Sequence, residues 1–145
     1  MKTKTANSTK GQKFPAELLT DEDVEALLGA CSRRGSAGVR NRALISVIYR
    51  GMLRIDEALS LVPSDVDLDR QTILVKQGKR RKRRLVGLPG STCDAVARWL
   101  DVRKELKVGA RKPVFCGIEN GEQRCNLGKK LDASYIRHLL PRLAK

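Results

Sequence analysis

Apolar residues recur at helical spacing in several stretches of the chain, and glycine or proline separates these stretches. The first predicted helix follows Thr20, which can cap its first turn. Its apolar positions are Val24, Leu27, Leu28 and Cys31. A break is predicted at 35–38, where two glycines stand, and then a second helix over 39–50 that Gly51 ends. Further helices are predicted over 55–61, over 91–107 and from near Ser134 onward.

Two short runs rich in apolar and β-branched residues, 72–75 and 85–88, predict a pair of antiparallel strands. The polar segment 76–84 between them is then the tip and flanks of a hairpin. A short extended piece is predicted at 114–116, followed by a loop over 117–128. The predicted fold class is therefore α+β, mostly helical with a small antiparallel β-sheet.

Composition narrows the class of protein. The 145 residues suffice for one domain or part of one, and 41% hydrophobic content is too high for a wholly disordered chain. Lysine and arginine number 30 against 16 acidic residues, and the net charge of +14 favours a polyanionic partner. Only 3% of the residues are aromatic, which disfavours proteins that stack single-stranded bases on aromatic rings.

The N-terminal segment and the lengths of the apolar runs predict a cytoplasmic protein with a basic N-terminal tail. Residues 1–13 carry four lysines and no apolar segment of the kind a secretory signal needs, so we expect a flexible tail there and a folded domain over 14–145. No run approaches the roughly 18 apolar residues of a membrane span, so no membrane partner is expected.

The chain has few cysteine and histidine side chains that could bind a metal ion. The four cysteines, Cys31, Cys93, Cys116 and Cys125, form no C-x-x-C pair, and His138 is the sole histidine. A zinc site is therefore not expected, nor any other metal site. Reduced, partly buried thiols are the simpler interpretation.

The basic charge concentrates in the predicted hairpin, where seven of the nine residues at 76–84 are lysine or arginine and none is acidic. We expect this segment to bind the phosphates of double-stranded DNA. The residues assigned to that contact are Lys76, Arg80, Arg81, Lys82, Arg83 and Arg84. A localisation-like or generic polyanion-binding patch is the alternative that the charge leaves open.

Three segments together resemble a known family. Residues 50–61, RGMLRIDEALSL, are similar to the first motif of the tyrosine recombinases, or phage integrases, which reads T-G-L-R-x-S-E-x-L-x-L. Residues 64–67, SDVD, and 78–88, GKRRKRRLVGL, resemble the next two family segments, and 14–20, FPAELLT, resembles the entry to the catalytic domain. The likeness runs from about residue 14 onward and implies the front part of that catalytic domain.

The resemblance implies strand cleavage and rejoining through a phosphotyrosine link, with double-stranded DNA and other recombinase subunits as partners and no metal or nucleotide cofactor. Arg54 then corresponds to the first catalytic arginine, Glu57 to the residue that orients it, and Lys79 to the general acid. The resemblance predicts that Arg54 is buried, paired with Glu57, and on the same surface as the hairpin tip. The simpler alternative is that Arg54 and Glu57 form an ordinary surface ion pair at i, i+3.

The sequence departs from the family pattern at several positions. Met52 replaces the glycine before L-R, and Asp56 replaces a small residue. The second family motif, H-x-L-R-H, has no counterpart, and neither Tyr49 nor Tyr135 matches the nucleophile. The sequence thus predicts a truncated recombinase, inactive alone, or a fragment that competes with a full-length recombinase. The alternative is a small basic, non-catalytic nucleic-acid-binding module.

Overall fold

A computed structural model describes residues 19–76, 82–118 and 126–145. Five α-helices and three short strands make up this part of the chain. The helices are α1 Asp21–Ala30, α2 Ser36–Arg50, α3 Ile55–Leu59, α4 Gly90–Glu105 and α5 Ala133–Leu143. The strands are β1 Val66–Asp67, β2 Thr72–Val75 and β3 Arg84–Gly87, with a 3-10 turn at Pro63–Asp65 before β1. The predicted α+β class is confirmed. The predictions for 1–18, including the basic tail, lie outside the described residues.

Helix α1 begins where the sequence predicts. The Thr20 hydroxyl accepts the Asp23 N–H, and the Asp23 carboxylate accepts the Thr20 N–H at 2.9 Å, which closes a capping box. Val24, Leu27 and Leu28 are buried on one face. The predicted cap and apolar face are therefore both confirmed.

Helix α2 begins three residues earlier than expected, so the break predicted at 35–38 is wrong. Gly38 lies inside the helix, and Gly35 is its N-cap. A Cβ on Gly38 would lie 2.0 Å from the Ser32 carbonyl oxygen. The glycine therefore permits a close approach of the preceding loop to the helix, which the sequence pattern cannot distinguish from a helix break.

The sheet has the strand order β1-β2-β3 and is antiparallel throughout. Strand β2 has the predicted bounds, β3 begins one residue earlier than predicted, and β1 was not expected. Ile73 and Val75 are buried, whereas Leu74 pairs with Leu85 on the opposite face, where Leu85 is 70% exposed. The sheet thus buries one face in the core, as the period of two in a strand requires.

Buried residues of β2 and of the helices form one core cluster, within which α2 and α4 are in direct contact. Trp99 of α4 is fully buried and donates its indole N–H to the Val114 carbonyl oxygen at 2.8 Å. Leu53, Leu59 and Val75 belong to the same cluster. Because α3 and the hairpin strands share this core, their relative position is set by packing.

Cys31, Cys93 and Cys116 are buried thiols, and burial raises the pKa of each. Cys125 lies outside the described residues. In the described ranges, no cluster of three or more His, Cys, Asp or Glu side chains could hold a metal ion. No helix in those ranges combines the length and apolar character that crossing a bilayer requires.

Candidate nucleic-acid interface

The turn between α2 and α3 presents Arg54 at the N-terminus of α3. Gly51 ends α2, and a Cβ there would meet the Val47 carbonyl oxygen at 2.6 Å. Met52 has a φ of 53°, in the left-handed region that favours glycine, and its side chain is 82% exposed. The chain thus keeps a glycine-like backbone at the position where the motif has glycine.

The Arg54 side chain is 83% exposed, so the expectation of a buried arginine is wrong. Its backbone N–H donates to Glu57 Oε2 at 2.9 Å. Its guanidinium Nη1, in contrast, lies 3.9 Å from Glu57 Oε1, at the outer limit of an ion pair. The guanidinium therefore faces solvent, where a phosphate could reach it.

Glu57 is held by the hairpin. Its side chain is 5% exposed, and both carboxylate oxygens accept hydrogen bonds of 2.8 Å from the Arg84 guanidinium at the start of β3. This two-point pair, with help from the Arg54 N–H and the charge of both arginines, lowers the pKa of Glu57 to about 2. Glu57 thus joins the Arg54 turn to the base of the hairpin.

The other strand of the hairpin is held in the same manner. The Lys76 ammonium, just after β2, pairs with Asp65 Oδ1, and the Asp65 side chain is 4% exposed. Asp65 Oδ2 accepts the Val62 N–H at 3.1 Å. A cavity of about 220 Å³ is lined by Asp65, Lys76 and Glu57. The two buried carboxylates therefore lie beneath the two ends of the basic segment.

The remaining basic residues of the hairpin divide into two groups. Lys82 and Arg83 are exposed, and neither forms an ion pair within the described ranges. Lys79, Arg80 and Arg81 lie outside the described residues, so their predicted roles stay predictions. The structure accordingly brings Arg54, Glu57 and the hairpin base to one surface.

A second polar network, which the sequence analysis did not single out, joins α2 to α5. Arg40 is 4% exposed, and its guanidinium donates to Asn41 Oδ1, to the Tyr135 hydroxyl and to the Cys116 carbonyl oxygen. Asn41 Nδ2 also donates to the Tyr135 hydroxyl at 3.1 Å. The sequence signal for this network is a charged residue, Arg40, inside an apolar helical pattern. This network occupies the hydroxyl of Tyr135.

Tyr49 is the other tyrosine of the chain and His138 its sole histidine. Tyr49 is half-buried and packs against the core. His138 is exposed on α5, with Nδ1 2.7 Å from the Ser134 carbonyl oxygen one turn earlier. In the described part of the chain, neither side chain forms a hydrogen bond or ion pair with Arg54, Glu57 or Arg84.

The Arg54 surface has the chemistry of a phosphate site. A guanidinium can bind a phosphate through two parallel N–H···O bonds, and its charge does not depend on pH in the physiological range. Lys82 and Arg83 add unpaired positive charge on the adjoining hairpin. The arrangement can therefore stabilise negative charge on a phosphodiester.

Comparison with known proteins identifies relatives of the chain. Its sequence matches the model of the phage integrase family over residues 17–145. It is 36% identical over 109 residues to the tyrosine recombinase XerC of Halalkalibacterium halodurans, covering 75% of this chain and 36% of that protein.

Two solved structures resemble the fold. The XerA recombinase matches with a TM-score of 0.72 at 23% identity, over 94% of this chain and 43% of that one. The XerH site-specific recombinase bound to a palindromic difH substrate, in a post-cleavage complex, matches with a TM-score of 0.65 at 29% identity, over 86% and 34%. The chain therefore spans less than half the length of each of these relatives.

Proposed function

This chain belongs to the phage integrase family, the family of the tyrosine recombinases, and on that premise we propose that it binds double-stranded DNA as part of a site-specific recombinase. The observation that carries the proposal is the exposed Arg54 guanidinium, joined through Glu57 to the base of the basic hairpin. Family membership also removes the alternative of a basic module with no recombinase ancestry.

The proposed roles follow from charge and geometry. Arg54 binds a non-bridging oxygen of the scissile phosphate and stabilises the charge that develops as the phosphorus gains a fifth ligand. Lys79 protonates the leaving 5′-oxygen, a role that rests on its place in the hairpin motif. Arg80, Arg81, Lys82 and Arg83 contact neighbouring phosphates, which position the duplex without reading its sequence.

We further propose that these 145 residues bind DNA without cleaving it. Strand cleavage needs a positioned nucleophile acting together with the arginine and the acid. The Tyr135 hydroxyl is engaged by Asn41 and Arg40, and Tyr49 packs against the core. Neither tyrosine is therefore free to attack a phosphate at Arg54.

Duplex binding measured against salt concentration tests the first proposal. Each phosphate contact adds about 0.9 to the slope of log affinity against log salt, so the Lys82→Met/Arg83→Met variant should lose about 1.8. Arg54→Ala should lose about 0.9, whereas Arg111→Ala, at an exposed position after α4, should leave the slope unchanged. Equal losses for Arg54→Ala and Arg111→Ala would contradict a specific phosphate site at Arg54.

A nicked suicide duplex tests the second proposal. Such a substrate traps any phosphotyrosine link, because the released fragment diffuses away. We expect no covalent adduct on a denaturing gel. An adduct that disappears in Tyr135→Phe would show that the chain cleaves DNA, and it would leave the binding proposal intact.

A further inference from the structure

Of the four basic residues at 76–84 that the structure describes, Lys76 and Arg84 pair with buried carboxylates, although their own side chains are 43% and 45% exposed. Lys76 pairs with Asp65, and Arg84 pairs with Glu57, whose carboxylates are 4% and 5% exposed. A buried carboxylate needs a cation and hydrogen bonds, because desolvation without them is costly. Lys76 and Arg84, which the sequence predicted to contact DNA, therefore neutralise buried carboxylates of the protein.

The Arg84 pair also controls what is left for Arg54. Both Glu57 oxygens receive 2.8 Å bonds from Arg84, and Oε2 receives the Arg54 backbone N–H as well. The Arg54 guanidinium Nη1 lies 3.9 Å from Glu57 Oε1, too far for a hydrogen bond. Glu57 thus fixes the Arg54 backbone while its charge is neutralised by a different arginine.

We propose that Arg84 is a positioning residue, which occupies the Glu57 carboxylate so that the Arg54 guanidinium stays free for a phosphate, and that Arg84 does not itself contact DNA. The identity of the ligand rests on the proposed function. The occupation of Glu57 by Arg84 does not.

Removing Arg84 should redirect Arg54. The buried Glu57 carboxylate would then lack its two-point partner, and Arg54 is the cation whose guanidinium already lies within 4 Å of it. A buried carboxylate without its partner attracts the nearest guanidinium strongly, because the local dielectric constant is low, so Arg54 should turn inward. Removing the carboxylate as well, in Glu57→Gln/Arg84→Met, should leave Arg54 exposed again.

Arginine labelling by phenylglyoxal, followed by peptide mass spectrometry, tests this exchange without DNA. In the unmodified sequence Arg54 should react severalfold faster than Arg84. Arg84→Met should slow the labelling of Arg54 severalfold, and Glu57→Gln/Arg84→Met should restore it. Unchanged labelling of Arg54 in Arg84→Met would overturn the proposal. Circular dichroism checks that each variant is folded. If Arg84→Met alone fails to fold, the double variant still provides a test, because it contains no buried charge without a partner. Slow labelling of Arg54 in the folded double variant would also overturn the proposal.

The salt dependence of duplex binding provides the second test, with Arg83→Met as the matched control. Arg83→Met removes an exposed arginine and should lower the slope by about 0.9. Arg84→Met should lower the slope by about 0.9, because Arg54 turns inward, and Glu57→Gln/Arg84→Met should recover most of that loss, because Arg54 is exposed again. Equal losses in Arg84→Met and in the double variant would mean that Arg84 contacts a phosphate directly, and the proposal would be wrong.

The two tests separate this inference from the proposed function. If the unmodified chain fails to bind duplex DNA, the proposed function fails, and labelling still decides whether Arg84 holds Glu57 away from Arg54. If DNA binds and labelling of Arg54 ignores Arg84, the function stands and the inference fails.

Discussion

Arg40 is a buried cation without a carboxylate partner in the described part of the chain, and Asn41→Asp should supply one. The guanidinium Nε and Nη2 donate to Asn41 Oδ1 at 3.1 and 3.0 Å, and Nη1 donates to the Cys116 carbonyl oxygen at 2.9 Å. Arg40 is 4% exposed, and this burial lowers the pKa of its guanidinium. A carboxylate at position 41 would meet the same two N–H groups without rearrangement.

The expected gain follows from the difference between neutral and charged acceptors. Hydrogen bonds with one charged partner contribute about 1.5–3 kcal/mol, and the bonds from Arg40 to Asn41 already belong to that class, so the gain comes from the attraction of the added opposite charge and is reduced by the desolvation of the carboxylate. The Tyr135 hydroxyl already donates to Asn41 Oδ1 at 3.2 Å and can donate to the new carboxylate as well, but the bond from the amide N–H to that hydroxyl is lost. The net stabilisation should be about 1 kcal/mol, which raises the thermal midpoint by about 3 °C for a chain of this size.

Thermal and urea unfolding followed by circular dichroism measure this gain. Gln71→Glu is the control, since it makes the same change of charge at an exposed position. The carboxylate at position 41 should ionise more readily folded than unfolded, so the gain is present above about pH 4 and disappears below it. Destabilisation by Asn41→Asp, or a gain equal to that of Gln71→Glu, would refute the argument that Arg40 lacks a counter-charge.

Three further predictions concern stability. The pKa of Glu57 is about 2 in the folded chain and 4.5 ordinarily, so its ion pair contributes about 3 kcal/mol to the free energy of unfolding above pH 4.5. This contribution is lost as the pH falls toward 2, and Glu57→Gln should remove that part of the pH dependence of the free energy of unfolding. Met52→Gly should leave stability unchanged or raise it by about 1 kcal/mol, since φ is 53°, whereas Met52→Val should lower it by about 1–2 kcal/mol in the same urea titration. Gly38→Ala, although alanine favours helices, should destabilise by about 1–3 kcal/mol, because its Cβ would strike the Ser32 carbonyl oxygen; a stabilised variant would contradict the close packing of that loop.

Local patterns predicted those parts of the fold that depend on neighbours in sequence. The capping box of α1 needs only Thr20 and Asp23, three residues apart, and β2 has the predicted bounds because its apolar run is short and flanked by polar residues. Gly38 was misread as a break because a glycine that ends a helix and a glycine that lets a loop approach it look alike in sequence. Only the position of the Ser32 carbonyl distinguishes them.

The site was predicted in outline and misjudged in its pairing. Arg54 and Glu57 are one helical turn apart, so their proximity was expected, and Arg54 does bond to Glu57 through its backbone N–H. The guanidinium that neutralises Glu57 comes from Arg84, 27 residues further along the chain. The seven basic residues at 76–84 have similar neighbours in sequence, so the sequence could not predict which of them would pair with a buried carboxylate.

By itself the amino-acid sequence determined the α+β class, the order of the five helices and of β2 and β3, and the family, because periodicity and motif order are properties of neighbouring residues. The tertiary structure alone decided which cations neutralise a buried carboxylate and which do not. Arg84 and Lys76, although partly exposed, are paired with carboxylates that folding removes from water, whereas Lys82 and Arg83 form no ion pair in the described ranges and the Arg54 guanidinium lies only at the 3.9 Å limit of one. The physical reason is that desolvation depends on all the chain segments packed around a group, and no local pattern records that packing.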